Sequence, residues 1–320
     1  MTGQLRGPRQ WLVDVLVVLV AVVWGSSYLA TKEIATGEAV VALLALRFLA
    51  ALPFLSFQAL GKLRRLSWPE VRGGAVLGAI LSVVLLLETY GVVYTSATNA
   101  GLIISLTMVF TPLAEAVITR TRPSTSFVAA AGTSVVGVLL LTQGAGLTVP
   151  SLGDLLMLLA AVVRTAHVLV MHRMRSVRGT DSGVLTFVQL ATAVVVFGVA
   201  SPLAGHAPWA LAAGFGAKQW LLLVHLAVMC TLFAFLVQMW AVRRTSPSHV
   251  SLLLGTEPMW AAVIGVVFGG DRPGVAGGVG VVLVLAGVTW GRRVAPAAAE
   301  PQEAGEAGAV REPDRMLQTG

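Results

Sequence analysis

Ten long apolar stretches constrain this 320-residue chain more than any other feature of its sequence. Each is about 20 residues long, the length at which an α-helix crosses the hydrocarbon core of a bilayer. Only 12% of the residues are charged, whereas soluble domains carry roughly 25%. The sequence therefore predicts an all-α membrane protein. The predicted spans are 11–31, 39–60, 72–93, 98–119, 125–143, 152–172, 183–203, 218–241, 247–269 and 273–291.

The Lys and Arg residues predict how these helices are oriented. With a cytoplasmic N-terminal segment (1–10), fifteen basic residues fall on the cytoplasmic side and three fall outside, namely Lys32, Lys218 and Arg272. This asymmetry follows the positive-inside rule and predicts a multi-pass protein with both termini in the cytoplasm. The basic pI is thereby explained by topology, so no nucleic acid partner is expected. Residues 294–320 are rich in Ala, Pro, Gly and Glu and predict a disordered cytoplasmic tail.

The chain also shows a weak internal repeat. A shift of 150 residues aligns 94–108 with 244–258, and a shift of 140 aligns 21–34 with 161–174. Both matches pair helices of equal rank in two sets of five. An odd number of helices forces the second set to enter the membrane from the opposite face. We therefore expect ten transmembrane helices arranged as two inverted five-helix repeats, 11–143 and 152–293. Secondary transporters often have this plan, with the substrate site near the midplane.

Four motifs resemble the EamA domains of the drug/metabolite transporter superfamily. They are "WGSSYLATK" (24–32), "LRF" (46–48), "TSATNAGLI" (95–103) and "LLLGTEPMWAAVIGVVFGGD" (252–271). The resemblance extends over residues 12–292. It implies efflux of a small metabolite or amino-acid-like compound across the bacterial inner membrane, through a cavity between the two halves.

Ionisable residues within the spans are the main candidates for function, because each costs about 3 kcal/mol or more at the centre of a membrane helix. Depth along the helices predicts that Arg47 pairs with Glu88 and that Arg164 pairs with Glu257. Either pair could be a structural salt bridge or part of a substrate site. The predicted substrate-binding residues are Trp24, Tyr28, Arg47, Glu88, Arg164, His167 and Glu257.

Aromatic and basic residues occupy matching positions in the two halves. Trp24 and Tyr28 share a helix face and would form an aromatic wall, and the repeat places Arg164 and His167 opposite Trp24 and Ser27. Such a site would suit a small amphipathic anion or zwitterion. His167 is a candidate carrier of a coupling proton, although a hydrogen bond to a neighbouring helix would explain it equally well. Tyr28 could instead be an anchor at the membrane interface.

Other function classes receive less support from the sequence. No G-x-S-x-G, H-E-x-x-H or phosphate-binding loop motif is present, and no His or Cys spacing suggests a metal site. We therefore expect neither an enzyme nor a cofactor. A membrane-embedded enzyme acting on a lipid-linked substrate, a passive channel and a non-transporting scaffold remain alternatives. The expected partners are a small-molecule substrate and the lipid bilayer.

Glycine pairs four residues apart predict close helix packing. The pairs are Gly74–Gly78 and Gly274–Gly278. The same spacing makes a second copy of the chain a candidate partner, in a homodimer.

Overall fold

The computed structural model describes residues 10–142, 150–205, 207–242, 244 and 247–294, which form a bundle of helices. Nearly all of the predicted N-terminal segment (1–10) and tail (294–320) lies outside these ranges. The helices are α1 (Gln10–Ile34), α2 (Val40–Leu63), α3 (Trp68–Tyr94), α4 (Ala97–Ile104), α5 (Thr107–Thr119), α6 (Thr125–Thr142), α7 (Leu152–Arg173), α8 (Ser182–Leu203), α9 (Pro208–Ala213), α10 (Ala217–Val224), α11 (Ala234–Val242), α12 (Pro247–Leu254), α13 (Glu257–Val267) and α14 (Gly274–Val294).

Within the described part of the chain, nine helical segments are long and apolar enough to cross a membrane. They coincide with nine of the ten predicted spans. One of them combines α10, a π-helical stretch (His225–Phe233) and the start of α11 into a continuous helix. A second one, Ala97–Thr119, combines α4 and α5.

The ninth predicted span, 247–269, differs from a single helix. It consists of α12 and α13, separated at Gly255 and Thr256, and the apolar helix α13 is too short to count as a span by itself. A similar break at Ser105 and Leu106 separates α4 from α5. At each break the chain tightens into i→i+3 bonding: the Leu106 N–H donates to the Ile103 carbonyl, and the Thr256 N–H to the Leu253 carbonyl, both at 3.1 Å. Apolar periodicity does not reveal such a short change of winding.

Helix pairs that bring distant parts of the chain together form the bundle. α3 packs along α7 and α8, α2 packs along α8, α1 packs along α13, and α6 packs along α14. The α2–α8 contact contains stacked rings of Phe48 and Phe197, with centroids 6.4 Å apart. Many large apolar side chains on the outside of the bundle remain exposed, including Phe57, Leu203 and Val275. An apolar exterior is what a lipid-facing surface requires.

Glycines mark the closest helix approaches, but the sequence identified only some of them. Gly74 and Gly78 do pack against α8, where a Cβ on either would lie 2.7 Å from its nearest neighbouring atom. The prediction for Gly278 is wrong, because no atom lies within 4 Å of a Cβ placed there. The face of α14 that meets α6 instead contains Gly280 and Gly287. Spacing alone does not reveal which face of a glycine-rich helix is the packed one.

Candidate functional site

An ion pair inside the bundle joins Glu88 of α3 to Arg164 of α7. The Nη2 group of Arg164 donates to Oε1 of Glu88. The carboxylate side chain is 14% exposed, whereas 40% of the Arg164 side chain is exposed. Arg164 therefore borders open space although it lies within a helix bundle. The two pairs expected from depth, Arg47 with Glu88 and Arg164 with Glu257, are both wrong.

Glu257 instead contacts an aromatic residue of the first helix. The Tyr28 hydroxyl donates to Oε1 of Glu257 across 2.8 Å, and the Tyr28 side chain is buried. This buried position rules out the alternative in which Tyr28 is an interfacial anchor. Glu257 is the first residue of α13, directly after the break that ends α12.

Helix packing explains why the depth argument selected the wrong partners. Counting 1.5 Å per residue locates a group along its helix axis, but it does not identify the neighbouring helix that the group faces. Since α3 packs along α7, Glu88 meets Arg164. Since α13 packs along α1, Glu257 meets Tyr28.

Arg47 lies near this cluster, and no described residue accepts a hydrogen bond from it. Its Nε atom is buried and forms no hydrogen bond with any described residue. Its guanidinium carbon lies 5.4 Å from the centroid of the Phe48 ring. A buried donor without a partner is rare and costly in native proteins. The Nε atoms of Arg47 and Arg164 are thus the two buried side-chain donors of the predicted site that have no hydrogen-bond partner among the described residues.

Trp24 is held by the π-helical stretch of the eighth predicted span. Its indole N–H donates to the Cys230 carbonyl across 2.9 Å. π-Helical winding shifts the hydrogen-bond pattern of a helix and is common at functional sites. Trp24 thus presents its ring with a fixed orientation, as an aromatic wall requires.

A second polar cluster, which the sequence did not predict, lies beside Trp24. Nε2 of His225 is 2.9 Å from the Ser26 hydroxyl and 3.5 Å from the Cys230 sulfur. The Ser26 hydroxyl donates to the Val23 carbonyl at 2.7 Å, so its proton is not directed at the imidazole. This geometry differs from an activated serine nucleophile, in which the histidine accepts that proton.

His167 forms the interhelical hydrogen bond that was the alternative to a proton carrier. Its Nε2 atom lies 2.9 Å from Oε1 of Gln189 on α8. Gln189 is not among the predicted site residues, although an amide within an otherwise apolar span is itself a signal of an interhelical contact. Contact with an amide leaves a titrating role for His167 open.

The cluster joins groups from both halves of the chain. Tyr28 and Glu88 come from the first predicted repeat, and Arg164 and Glu257 come from the second. Charged and polar groups at one place in an apolar bundle can hold a small polar molecule that exchanges its hydration for theirs. Across the residues that the structure describes, no group of three or more His, Cys, Asp or Glu side chains is placed to hold a metal ion.

Different residues make the contacts at the two ends of the bundle. We name the end where α2 meets α3 the basic end and the end where α3 meets α4 the opposite end. At the opposite end, Oδ1 of Asp154 accepts from the Thr95 hydroxyl at 2.5 Å and from the Asn99 amide at 3.0 Å. A Cβ on Gly153 would lie 2.4 Å from the backbone of Tyr94, so the helices are tightly closed there. The basic end contains a cavity of about 520 Å³.

An ion pair lies beside that cavity. Nζ of Lys62 at the end of α2 is 2.6 Å from Oδ2 of Asp181, the residue before α8. The hydrogen bond from Lys62 lowers the pKa of the Asp181 carboxyl below its usual value. Asp181 is therefore ionised at neutral pH, and the pair connects α2 with α8 at the basic end.

Comparison with known proteins agrees with this architecture. The profile of the EamA-like transporter family matches residues 11–143 and 151–290. A protein described as an uncharacterized transporter, from Archaeoglobus fulgidus, is 26% identical over 269 residues, which cover 82% of this chain and 80% of that protein. One crystal structure of a protein superposes with a TM-score of 0.60 at 19% identity, covering 89% of this chain and 98% of the other, and so shares the fold. With both matched ranges spanning nearly all of the helix bundle, the chain belongs to the EamA-like transporter family.

Proposed function

We propose that this membrane protein is a secondary transporter that exports a small metabolite or amino-acid-like compound by alternating access. The observation that carries the proposal is the central cluster, in which Glu88 contacts Arg164 and Tyr28 contacts Glu257. Each contact joins one half of the chain to the other. Rocking of one half against the other would break and remake these contacts, so a bound substrate could bias the equilibrium.

We propose further that the fold contains ten transmembrane helices in two inverted repeats. The helix contacts support this arrangement, because exchanging the halves maps one packed pair onto another. The contact of α1 with α13 corresponds to that of α7 with α4 and α5, and the contact of α3 with α8 corresponds to that of α2 with the π-helical stretch. The breaks at Ser105–Leu106 and Gly255–Thr256 are separated by the 150 residues of the sequence repeat.

The proposed substrate site comprises Trp24, Tyr28, Arg47, Glu88, Arg164, His167 and Glu257. Arg47 favours a substrate with an anionic group, because the buried Nε of Arg47 has no hydrogen-bond acceptor in the described structure. Glu257 contacts a neutral hydroxyl and would suit a cationic group of the same substrate. A zwitterion satisfies both residues.

Proton coupling is the proposed energy source, with His167 as the carrier. His167 faces Gln189 of α8 and lies one turn after Arg164 on its own helix. The nearby Arg164 charge would repel a proton on His167. Proton binding is therefore linked to the ion pair of Arg164 with Glu88. A His167→Gln variant should lose the pH dependence of flux, and retention of that dependence would contradict this role.

The proposed location is the inner membrane, with both termini in the cytoplasm. The basic residues support this orientation, since fifteen of them lie on the side assigned to the cytoplasm. A homodimer is also proposed, because Gly132 of α6 faces open space on the outside of the bundle, where a second chain could pack closely. Mass photometry of the purified chain would test the dimer.

The experiment that tests transport uses proteoliposomes loaded with a mixed extract of small cytosolic metabolites, under an inward proton gradient. Selective loss of a few intact compounds, compared with protein-free vesicles, is the expected result. Loss of no compound would favour a scaffold, and a chemically altered compound would indicate an enzyme. Either result would contradict the proposal.

A further inference from the structure

The cavity at the basic end, outside the central cluster, has a polar rim and an apolar wall. Its volume of about 520 Å³ falls in the range of roughly 300–1,000 Å³ typical of ligand sites. Lys62, Asp181 and Arg244 lie at the rim. The wall contains Leu55, Ala59, Phe235 and Leu236.

The polarity changes along the direction of the helices. Lys62 follows Leu55 by seven residues in α2, so the cationic group starts about 10 Å closer to the basic end than the apolar wall does. On the other side Arg244 follows the end of α11, whereas Phe235 lies near its start. A molecule that fills this cavity would place a polar head at the rim and an apolar body along the wall.

Aromatic and cationic groups at the rim have the arrangement found at membrane interfaces. The guanidinium carbon of Arg244 lies 4.7 Å from the centroid of the Trp240 ring. The α2 surface beside Leu55 is apolar, with Phe54 and Phe57 exposed. This surface would contact acyl chains, which favours a membrane lipid over a water-soluble anion.

The charge of the rim favours an anion. Lys62 and Arg244 are cationic, Asp181 is anionic, and α8 begins beside the cavity with the positive end of its dipole. The Asp181 carboxylate already binds two of these positive groups: it accepts from Lys62 at 2.6 Å and from the Gly183 N–H at the start of α8 at 3.0 Å. It therefore acts as an internal competitor for an incoming phosphate.

From these features we propose that the cavity binds the phosphate headgroup and upper acyl chains of an anionic phospholipid from the leaflet at the basic end. Lys62 and Arg244 contact the phosphate, and Leu55 and Phe235 contact the acyl chains. Such a lipid connects α2, α8 and α11 where the Lys62–Asp181 pair otherwise joins only α2 and α8. The site does not depend on the identity of the transported substrate.

The test is native mass spectrometry of the purified full-length chain with equal amounts of phosphatidylglycerol and phosphatidylcholine. Wild-type protein should retain phosphatidylglycerol preferentially. In a Lys62→Gln/Arg244→Gln variant, the ratio of bound phosphatidylglycerol to bound phosphatidylcholine should fall by about tenfold. The matched control is Arg64→Gln/Arg65→Gln, which removes two exposed charges at the same end that do not line the cavity.

A gain of binding guards against misfolding as an explanation. Asp181→Asn removes the competing carboxylate but keeps a residue that caps α8, so phosphatidylglycerol preference should rise by about threefold. Equal preference in the Lys62→Gln/Arg244→Gln variant and the control would overturn the proposal. Displacement of the lipid by millimolar glycerol phosphate would also overturn it, because the site would then bind a free anion.

Discussion

Arg164 and Glu88 form an ion pair whose members come from different halves of the chain. Removing one partner leaves the other charge uncompensated within the bundle. Arg164→Gln or Glu88→Gln should destabilise the protein by about 3 kcal/mol, the lower end of the range for a buried pair because Arg164 is partly exposed. Thermal unfolding in detergent would measure this loss.

The double variant Arg164→Gln/Glu88→Gln separates stability from transport. It removes both charges, so stability should recover most of what either single variant loses. Flux should stay low, because the substrate site then lacks two of its four charged side chains. Recovery of flux together with stability would mean that the pair is only structural. Lys218→Gln, in an exposed pair with Glu33, is the control and should change stability by less than about 1 kcal/mol.

Tyr28→Phe tests the contact between α1 and α13. The variant loses one hydrogen bond to Glu257 and keeps the ring, so the stability loss should be about 1–2 kcal/mol. Flux should fall by more than the stability change implies, since Glu257 loses its positioning partner. Measuring unfolding and flux on the same preparation provides both numbers. Wild-type flux in Tyr28→Phe would remove Tyr28 from the proposed site.

Asp181 predicts a pH dependence at the basic end. Its pKa is lowered in the folded protein, so the Lys62–Asp181 pair contributes stability above the unfolded pKa of about 3.9. That contribution is lost as the pH falls below this value and through the lower folded pKa. The pair is partly exposed, which limits its contribution to about 1 kcal/mol or less. The stability difference between wild type and Lys62→Gln, measured from pH 7 down to pH 3, should shrink accordingly. A constant difference would contradict the assignment.

The paired helices α6 and α14 allow a substitution with a matched control on the same helix. A Cβ on Gly287 would lie 2.4 Å from the Ser134 hydroxyl oxygen, whereas one on Gly278 would meet no atom within 4 Å. Gly287→Val should therefore destabilise the protein by about 1–3 kcal/mol through overpacking. Gly278→Val should change stability by less than about 0.5 kcal/mol in a lipid-facing position. Thermal unfolding of both variants checks this. Equal losses of stability would contradict the assignment of Gly287 to the packed face of α14.

Helix positions were predictable from the sequence, whereas the contacts between helices were not. Runs of apolar residues report which segments can cross a membrane, and α1, α7 and α14 lie close to their predicted ranges. The break at Gly255 was missed because it changes two residues of winding without changing hydropathy. Glu88 was assigned to Arg47 because depth is readable from sequence, whereas the facing neighbour depends on how α3 packs.

Some polar residues of the predicted spans could not be paired from the sequence. Ser26 and His225 lie 199 residues apart and meet only because α1 packs against the π-helical stretch. Gln189 is a lone amide in an apolar span, a pattern that predicts a hydrogen bond to a neighbouring helix. Polar residues in predicted spans are best treated as half of a pair whose other half lies on an unknown helix.

The whole bundle suggests how the two ends would alternate. Contacts of Asp154 with Thr95 and Asn99 join segments of the two halves at the opposite end. In the proposed cycle the opposite end must open to release the substrate. Thr95 precedes α4 in the first half, and Asp154 lies in the first turn of α7 in the second half. Both side chains are short and in contact, so a disulfide between cysteines at these positions would hold that end closed.

The decisive measurement is substrate flux in proteoliposomes containing Thr95→Cys/Asp154→Cys in a Cys230→Ser background, before and after oxidation. Alternating access predicts that oxidation abolishes flux and that reduction restores it in the same vesicles. Thr95→Cys alone, treated with the same oxidant, should keep its flux. Undiminished flux through the oxidised double variant, with the disulfide verified by mass spectrometry, would contradict alternating access.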